Sequence, residues 1–192
     1  MVSTRELKFR RRRQGKTNYA KRLALLKSGK TRIVFRKSNR FVSVQFVEFG
    51  KRGDKTVVGV NSKQLNKFGW LGNANIPSSY LTGFLAGKLA LEKGIKSAVL
   101  DIGLITPALK SMPFAALQGA LDAGIEIPHD DSALPEKGRI EGKHIEAFAQ
   151  SLGGEERKKR FSEYSKKGID VGKLSEAFAK AKERIEKEAG VK

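Results

Sequence analysis

Residues 32–60 read RIVFRKSNRFVSVQFVEFGKRGDKTVVGV, and this stretch divides into three strands. Through its middle, Val42, Val44 and Phe46 alternate with Ser43 and Gln45, the period of two that a sheet with one buried face requires. Strands are predicted over 32–36, 41–49 and 55–60. The connections 37–40 and 50–54 are short and turn-like, so the strands should form an antiparallel meander.

Downstream the period changes. A short helical piece over 63–68 leads into Gly69 and Trp70, and Pro77, Ser78 and Ser79 then introduce a helix through residue 93, with Gly94 as its stop. Gly83, Ala86, Gly87 and Ala90 lie near one another on that helix, which predicts close backbone approach to a sheet, and Leu81, Phe84, Leu85 and Leu89 supply bulk beside them. Residues 98–102 form a nearly continuous apolar run, as expected of a strand covered on both faces. Pro113 opens a second helix that ends at Gly124, and 125–127 reads as a short strand. Helix and strand alternating at this spacing argue for right-handed parallel crossovers. The expected fold is α/β, a mixed five-stranded sheet between helices, with its body over residues 30–128.

Two segments flank that body. Upstream, residues 1–29 form a basic arm and a short helix over 18–27, capped by Thr17 or Asn18 and stopped by Gly29; Tyr19, Leu23 and Leu26 share one face, while Lys21 and Arg22 lie on the other. Downstream, residues 129–192 form a helical C-terminal extension: an acidic loop through 136, then helical pieces over 143–152, 155–164 and 171–188. The last carries Val171, Leu174, Phe178, Ala181 and Ile185 at alternating steps of three and four, with Asp170 as its cap. That stripe must cover something, either the body or a separate protein or RNA element.

Charge is distributed unevenly. The 192 residues carry 39 Lys and Arg against 20 Asp and Glu, for a net charge of +19 and a pI near 10.2. Residues 1–40 alone hold +14, residues 41–150 only +1, and residues 151–192 hold +4. Such a surface seeks polyanions. Residues 1–16 have few apolar groups to offset the entropy of ordering, so the arm should be flexible until a partner orders it. A solvated arm serving solubility or targeting is the plainer alternative, but four consecutive arginines, Arg10, Arg11, Arg12 and Arg13, repel one another unless phosphates neutralise them. Arginine bridges phosphate oxygens and stacks on bases, which favours folded RNA over a membrane surface. The arm is acid-poor like a transit peptide, yet it is not serine-rich and runs directly into folded-looking sequence.

Catalytic constellations are not evident. Cysteine is absent, which excludes disulfides and thiolate chemistry. His129 and His144 lack ligand-like spacing, and residues 50–56 join two strands where a phosphate-binding loop would join a strand to a helix. A nuclease on such a sheet needs clustered carboxylates for two metal ions, but residues 32–36 contain no acid and Asp101 stands alone on its strand. No apolar run approaches the roughly 18 to 20 residues that cross a bilayer.

An ordered series of motifs resembles large-subunit ribosomal protein eighteen of the archaeal type, equivalent to eukaryotic large-subunit protein five. It includes Arg11, Arg12, Arg13, Gly15, Lys16, Thr17, Asn18 and Tyr19; residues 30–33; Phe68, Gly69 and Trp70; residues 80–83; residues 99–103; residues 119–124; Ile127, Pro128 and His129; and Gly142, Lys143 and His144. The tail beyond Pro128 is similar to the archaeal and eukaryotic form. The resemblance implies a body of ribonuclease H-like topology without catalysis or cofactor, located in the large ribosomal subunit of the cytoplasm. It implies 5S rRNA, large-subunit rRNA and neighbouring ribosomal proteins as partners, with no membrane and no small-molecule substrate. Carried onto this sequence, RNA contacts are expected from Arg10, Arg11, Arg12, Arg13 and Lys16 of the arm; from Tyr19, Lys21 and Arg22 of the helix; and from Lys30, Arg32, Arg36, Lys37, Ser38, Asn39, Arg40, Ser43 and Gln45 of the hairpin region. Bacterial members place basic and aromatic residues in the loop after the fourth strand, where 103–112 here offers only Lys110. A general basic chaperone or chromatin-like binder is the competing reading.

Overall fold

The computed structural model describes residues 7–189. Its sheet comprises β1 (Thr31–Lys37), β2 (Val42–Gly50), β3 (Gly53–Asn61) and β4 (Ala98–Asp101), in the order β3-β2-β1-β4. The first three strands form the antiparallel meander, and β4 runs parallel to β1. The expected fifth strand is reduced to one parallel bridge between Ser97 and Glu126, so the sheet has four strands among the described residues. Segment 125–127 lies between Gly124, which ends the preceding helix with φ +110°, and Pro128, which has no amide proton to extend a ladder.

Strand parity divides the sheet into two unlike faces. Ile33 and Phe35 pair with Phe46 and Val44, and with Val42, Val58 and Val60 they build the buried face. That face is covered by α3 (Ile76–Glu92), against which α4 (Met112–Ala123) packs. Arg32, Val34 and Arg36 alternate onto the opposite face beside Gln45 and Ser43. The apolar run of β4 is accordingly not fully covered, since Val99 and Leu100 remain half-buried.

The small residues of α3 serve a helix contact where a sheet contact was expected. A Cβ on Gly83 would lie 2.0 Å from the carbonyl oxygen of Ala116, and one on Gly119 would lie 2.1 Å from that of Tyr80. The two helices therefore touch backbone to backbone, and only glycine fits at either point.

The C-terminal stripe resolves to the body. After a 3₁₀ turn over Val171–Lys173, in which Asp170 Oδ1 accepts from the Gly172 amide at 2.9 Å, α9 runs Leu174–Ala189. Leu174, Phe178, Ala181 and Ile185 are buried in the common core. Phe178 meets Trp70 edge-on at 5.8 Å, and the Trp70 indole donates to Ser78 Oγ at 2.9 Å. The helix expected over 155–164 breaks at Phe161, whose ψ of +30° leaves the helical region, into α7 (Gly154–Arg160) and α8 (Ser162–Lys166). Between α4 and α7, α5 (Lys137–Ile140) was not anticipated, whereas α6 (Lys143–Ser151) follows the reading. No helix among the described residues is long and apolar enough to cross a membrane.

Candidate nucleic-acid interface

Within the arm, whose first six residues lie outside the described ones, the arginine run forms a helical turn. α1 (Arg10–Arg13) ends in a Schellman closure: Gly15 adopts φ +62°, its amide donates to Arg12 O at 3.1 Å, and the Lys16 amide donates to Arg11 O at 2.9 Å. All four arginine side chains remain exposed, and Arg11 Nε folds back onto Thr17 Oγ1 at 2.9 Å. α2 (Tyr19–Leu26) is capped by Asn18, whose Oδ1 accepts from the Lys21 amide at 3.2 Å. The expected apolar face of α2 is incomplete, because Leu23 is exposed and no residue of this helix is buried. Tyr19 packs inward in part, its ring 5.1 Å from that of the exposed Phe9.

What holds α2 over the open sheet face is a ladder of charge. Arg22 reaches Asp54 Oδ1 at 2.9 Å; Asp54 Oδ2 meets Arg32 at 2.8 Å; Arg32 meets Asp101 Oδ2 at 2.9 Å; and Asp101 Oδ1 meets Arg36 at 3.2 Å. The backbone explains the order. Asp101 lies in register with Val34, on the face that carries Arg32 and Arg36, and Asp54 projects from β3 at the other flank. The Gly103 amide adds a 2.9 Å hydrogen bond to Asp101 Oδ1, and Gly103 itself is required, since its φ is +65° and a Cβ would meet the Arg36 guanidinium at 2.9 Å.

Between this ladder and the two helices lies a cleft of about 520 Å³. Arg11, Lys16, Lys21, Arg22, Arg32, Arg36 and Gln45, all expected at an RNA contact, line it together. Three of them are already engaged. Arg32 is only 3% exposed, with its charge taken by two carboxylates, so it is closed to a direct partner and serves as an internal fastening. Its Nε and Nη2 have no aligned hydrogen-bond acceptor among the described residues, the Asp54 contact being ionic and off axis. Arg36 spends Nη1 on the carbonyls of Phe35 and Asp101, at 2.7 and 2.9 Å, leaving its outer edge exposed. Arg22 is tied to Asp54.

The remaining candidates are distributed elsewhere. Lys37, Asn39 and Arg40 are exposed at the β1–β2 turn, whereas the Ser38 hydroxyl is consumed within it, donating to Phe41 O at 2.9 Å and accepting from the Phe41 amide at 3.0 Å. Ser43 is half-buried, its hydroxyl 3.4 Å from Arg36 O. Lys30 borders a separate hollow beside Ile125 and His129. Asp54 and Asp101 were missed as functional positions; the signal for them was parity, because two arginines four apart on one strand share a face that an apolar core cannot cover. Both carboxylates are neutralised by arginine, which leaves the cleft suited to a polyanion and not to a metal ion.

Comparison with known proteins points the same way. A family model described as ribosomal large subunit proteins 60S L5 and 50S L18 matches residues 3–98. The chain is 49% identical to large ribosomal subunit protein uL18 of Methanothermobacter thermautotrophicus, over 95% of this chain and 96% of that one. It is 48% identical to the protein of the same name from Korarchaeum cryptofilum, over 94% and 93% respectively.

Proposed function

We propose, from the premise that this chain belongs to the family of ribosomal large subunit proteins L5 and L18, that it binds 5S rRNA and helps attach it to the large-subunit rRNA. As a family member it is a structural constituent of the large ribosomal subunit, with ribosomal RNA and ribosomal proteins as its partners, and it is not an enzyme. The 5S assignment goes further.

One observation carries it. The basic helix α2 is fastened over the sheet face through Arg22 and Asp54, and the arginine turn precedes it directly. Arg10, Arg11, Arg12, Arg13, Lys16 and Lys21, before and on that helix, and Lys37, Asn39 and Arg40 at the β1–β2 turn are all exposed for a partner. A preset spacing of cations selects RNA by shape, whereas a mobile arm would only neutralise it. In this reading Arg22, Arg32 and Arg36 hold the surface, and Gln45 and Ser43 belong to its floor. The order β3-β2-β1-β4 with one bridge outside β4 supports a ribonuclease H-like topology for the body, here with arginines where carboxylates would sit.

The test is binding of the whole chain to 5S rRNA and to a scrambled RNA of equal length, near physiological salt. The expected result is tight binding of the first alone, with steep salt dependence for both. Equal affinity for the two would make the protein a general basic binder and overturn the 5S reading.

A further inference from the structure

A second basic groove opens where the β1–β2 turn meets the C-terminal extension. It encloses about 330 Å³, within the range of small-ligand sites, and is bordered by Arg40, Phe41, Lys63, Asn73, Lys166 and Lys167. Those residues come from three separated parts of the chain, and the structure fastens them together. Ser62 Oγ donates to Gly72 O at 2.6 Å and accepts from the Val42 amide at 3.2 Å, which ties the end of the turn to the groove floor. Gly72 allows that approach, since a Cβ there would lie 1.8 Å from Ser62 O. On the far wall, buried Tyr164 receives a 3.3 Å hydrogen bond from Asn75 Nδ2, and Lys167 Nζ donates to Asn66 Oδ1 at 2.6 Å, which docks α8 against the body.

The lining is unbalanced. Arg40, Lys63 and Lys166 are exposed and form no ion pair among the described residues, and Glu163 is the one acid bordering the groove. Between them Phe41 is half-exposed and Leu71 supplies an apolar floor. Cations alone fit any acidic partner. Cations around a half-exposed aromatic ring, with the amides of Asn66 and Asn73 alongside, fit a nucleotide, which carries a π-face and a phosphate at one spacing. Arg40 also belongs to the exposed β1–β2 turn with Lys37 and Asn39, so the turn adds cations at one end of the groove.

We infer that this groove is a second RNA subsite, which takes an unstacked nucleotide of a looped or single-stranded segment, its base against Phe41 and its phosphate among Arg40, Lys63 and Lys166. The inference rests on ribosomal RNA being the partner, as proposed above. It also gives the C-terminal extension a task beyond covering the core, because α8 completes the site.

The experiment is a titration of the ¹⁵N-labelled whole chain with a short single-stranded RNA of mixed sequence, and separately with oligoglutamate. RNA should shift the amides of Phe41, Asn73 and Lys166. The pair Lys63→Glu and Lys166→Glu should weaken that response about tenfold, and Phe41→Leu, which keeps an apolar side chain and so preserves the fold, should weaken it several-fold. The shifts should persist when Arg11, Arg12 and Arg13 are all replaced by alanine; absence of 5S selectivity in the unaltered chain with an intact groove response counts against the 5S reading alone. RNA shifts confined to the arm and sheet face, no effect of the charge reversals, or a response to oligoglutamate but not to RNA would each overturn the subsite.

Discussion

Arg32 and Asp101 are 69 positions apart in sequence, yet their side chains meet at 2.9 Å, both nearly sealed from solvent, across the parallel seam between β1 and β4. Parallel pairs cannot be closed by a hairpin, and this seam depends on the long excursion through α3 for its connection. The ion pair locks the register at the place where the chain returns. It also transmits to the surface, because the same guanidinium meets Asp54, which anchors Arg22 of the basic helix.

Removing one partner should therefore be costly. Asp101→Ala leaves Arg32 and Arg36 without their shared carboxylate and is expected to reduce stability by about 3–5 kcal/mol, the usual loss when one member of a buried pair is deleted. Urea unfolding measures it. A loss below about 1 kcal/mol would mean that water replaces the carboxylate and that the seam is held by packing.

The arm should behave in the opposite way. Replacing Arg11, Arg12 and Arg13 by alanine removes exposed charges that touch the fold only through the Arg11–Thr17 hydrogen bond. RNA affinity should fall at least tenfold, and the slope of log affinity against log salt should flatten by about two, at roughly 0.7 for each phosphate that is no longer neutralised. The melting temperature should stay within a few degrees. A parallel fall of stability and binding would place the arginine turn in the folding unit.

How far the sequence discloses this arrangement depends on the range of the interactions. The meander was legible because alternation in Val42, Val44 and Phe46 is local, and the stripe from Val171 to Ile185 was legible because helical periodicity is local too. The fifth strand was not, since Ile125, Glu126 and Ile127, set between Gly124 and Pro128, satisfy a strand's alternation whether or not a neighbour accepts their hydrogen bonds. Arg32 read as a surface cation because nothing near it in sequence reveals that Asp54 and Asp101 will flank it. The break at Phe161 follows from packing, its ring lying edge-on to both Phe148 and Tyr164, and no helix-breaking residue marks it.

The contact between α3 and α4 offers a steric test. Gly83→Val must displace the Ala116 carbonyl, which a Cβ would approach to 2.0 Å, and that atom belongs to helix backbone with no rotamer to escape through. A loss of about 3 kcal/mol is expected from calorimetry or urea unfolding, the upper part of the range for overpacking. The substitution Gly168→Ala, at φ +66° with open space around it, should cost less, near the local backbone strain alone. Equal effects at the two sites would show that conformation and not contact determines the first.

Tyr80 provides the pH dependence. Burial first, and then the neighbouring carboxylates of Asp122 and Glu186, raise its phenol well above the ordinary tyrosine value, and its hydroxyl donates to Asp122 Oδ2 at 2.5 Å. A folded-state pKa raised above the unfolded one favours the fold fully below the unfolded value and loses that contribution as pH climbs above it. The window thus begins near pH 10, where an exposed tyrosine ionises at about that value. Tyr80→Phe should destabilise at neutral pH by roughly 1.5–3 kcal/mol through loss of a hydrogen bond to a charged acceptor. The gap between the two proteins should then narrow above about pH 10, as the native tyrosine resists ionisation and phenylalanine has no proton to lose. Lys182 sits over the same ring at 5.5 Å and can remain there in the variant. Urea unfolding of both proteins from neutral to strongly alkaline pH decides it, and a constant gap across that range would show that Tyr80 ionises in the fold as readily as in the unfolded chain.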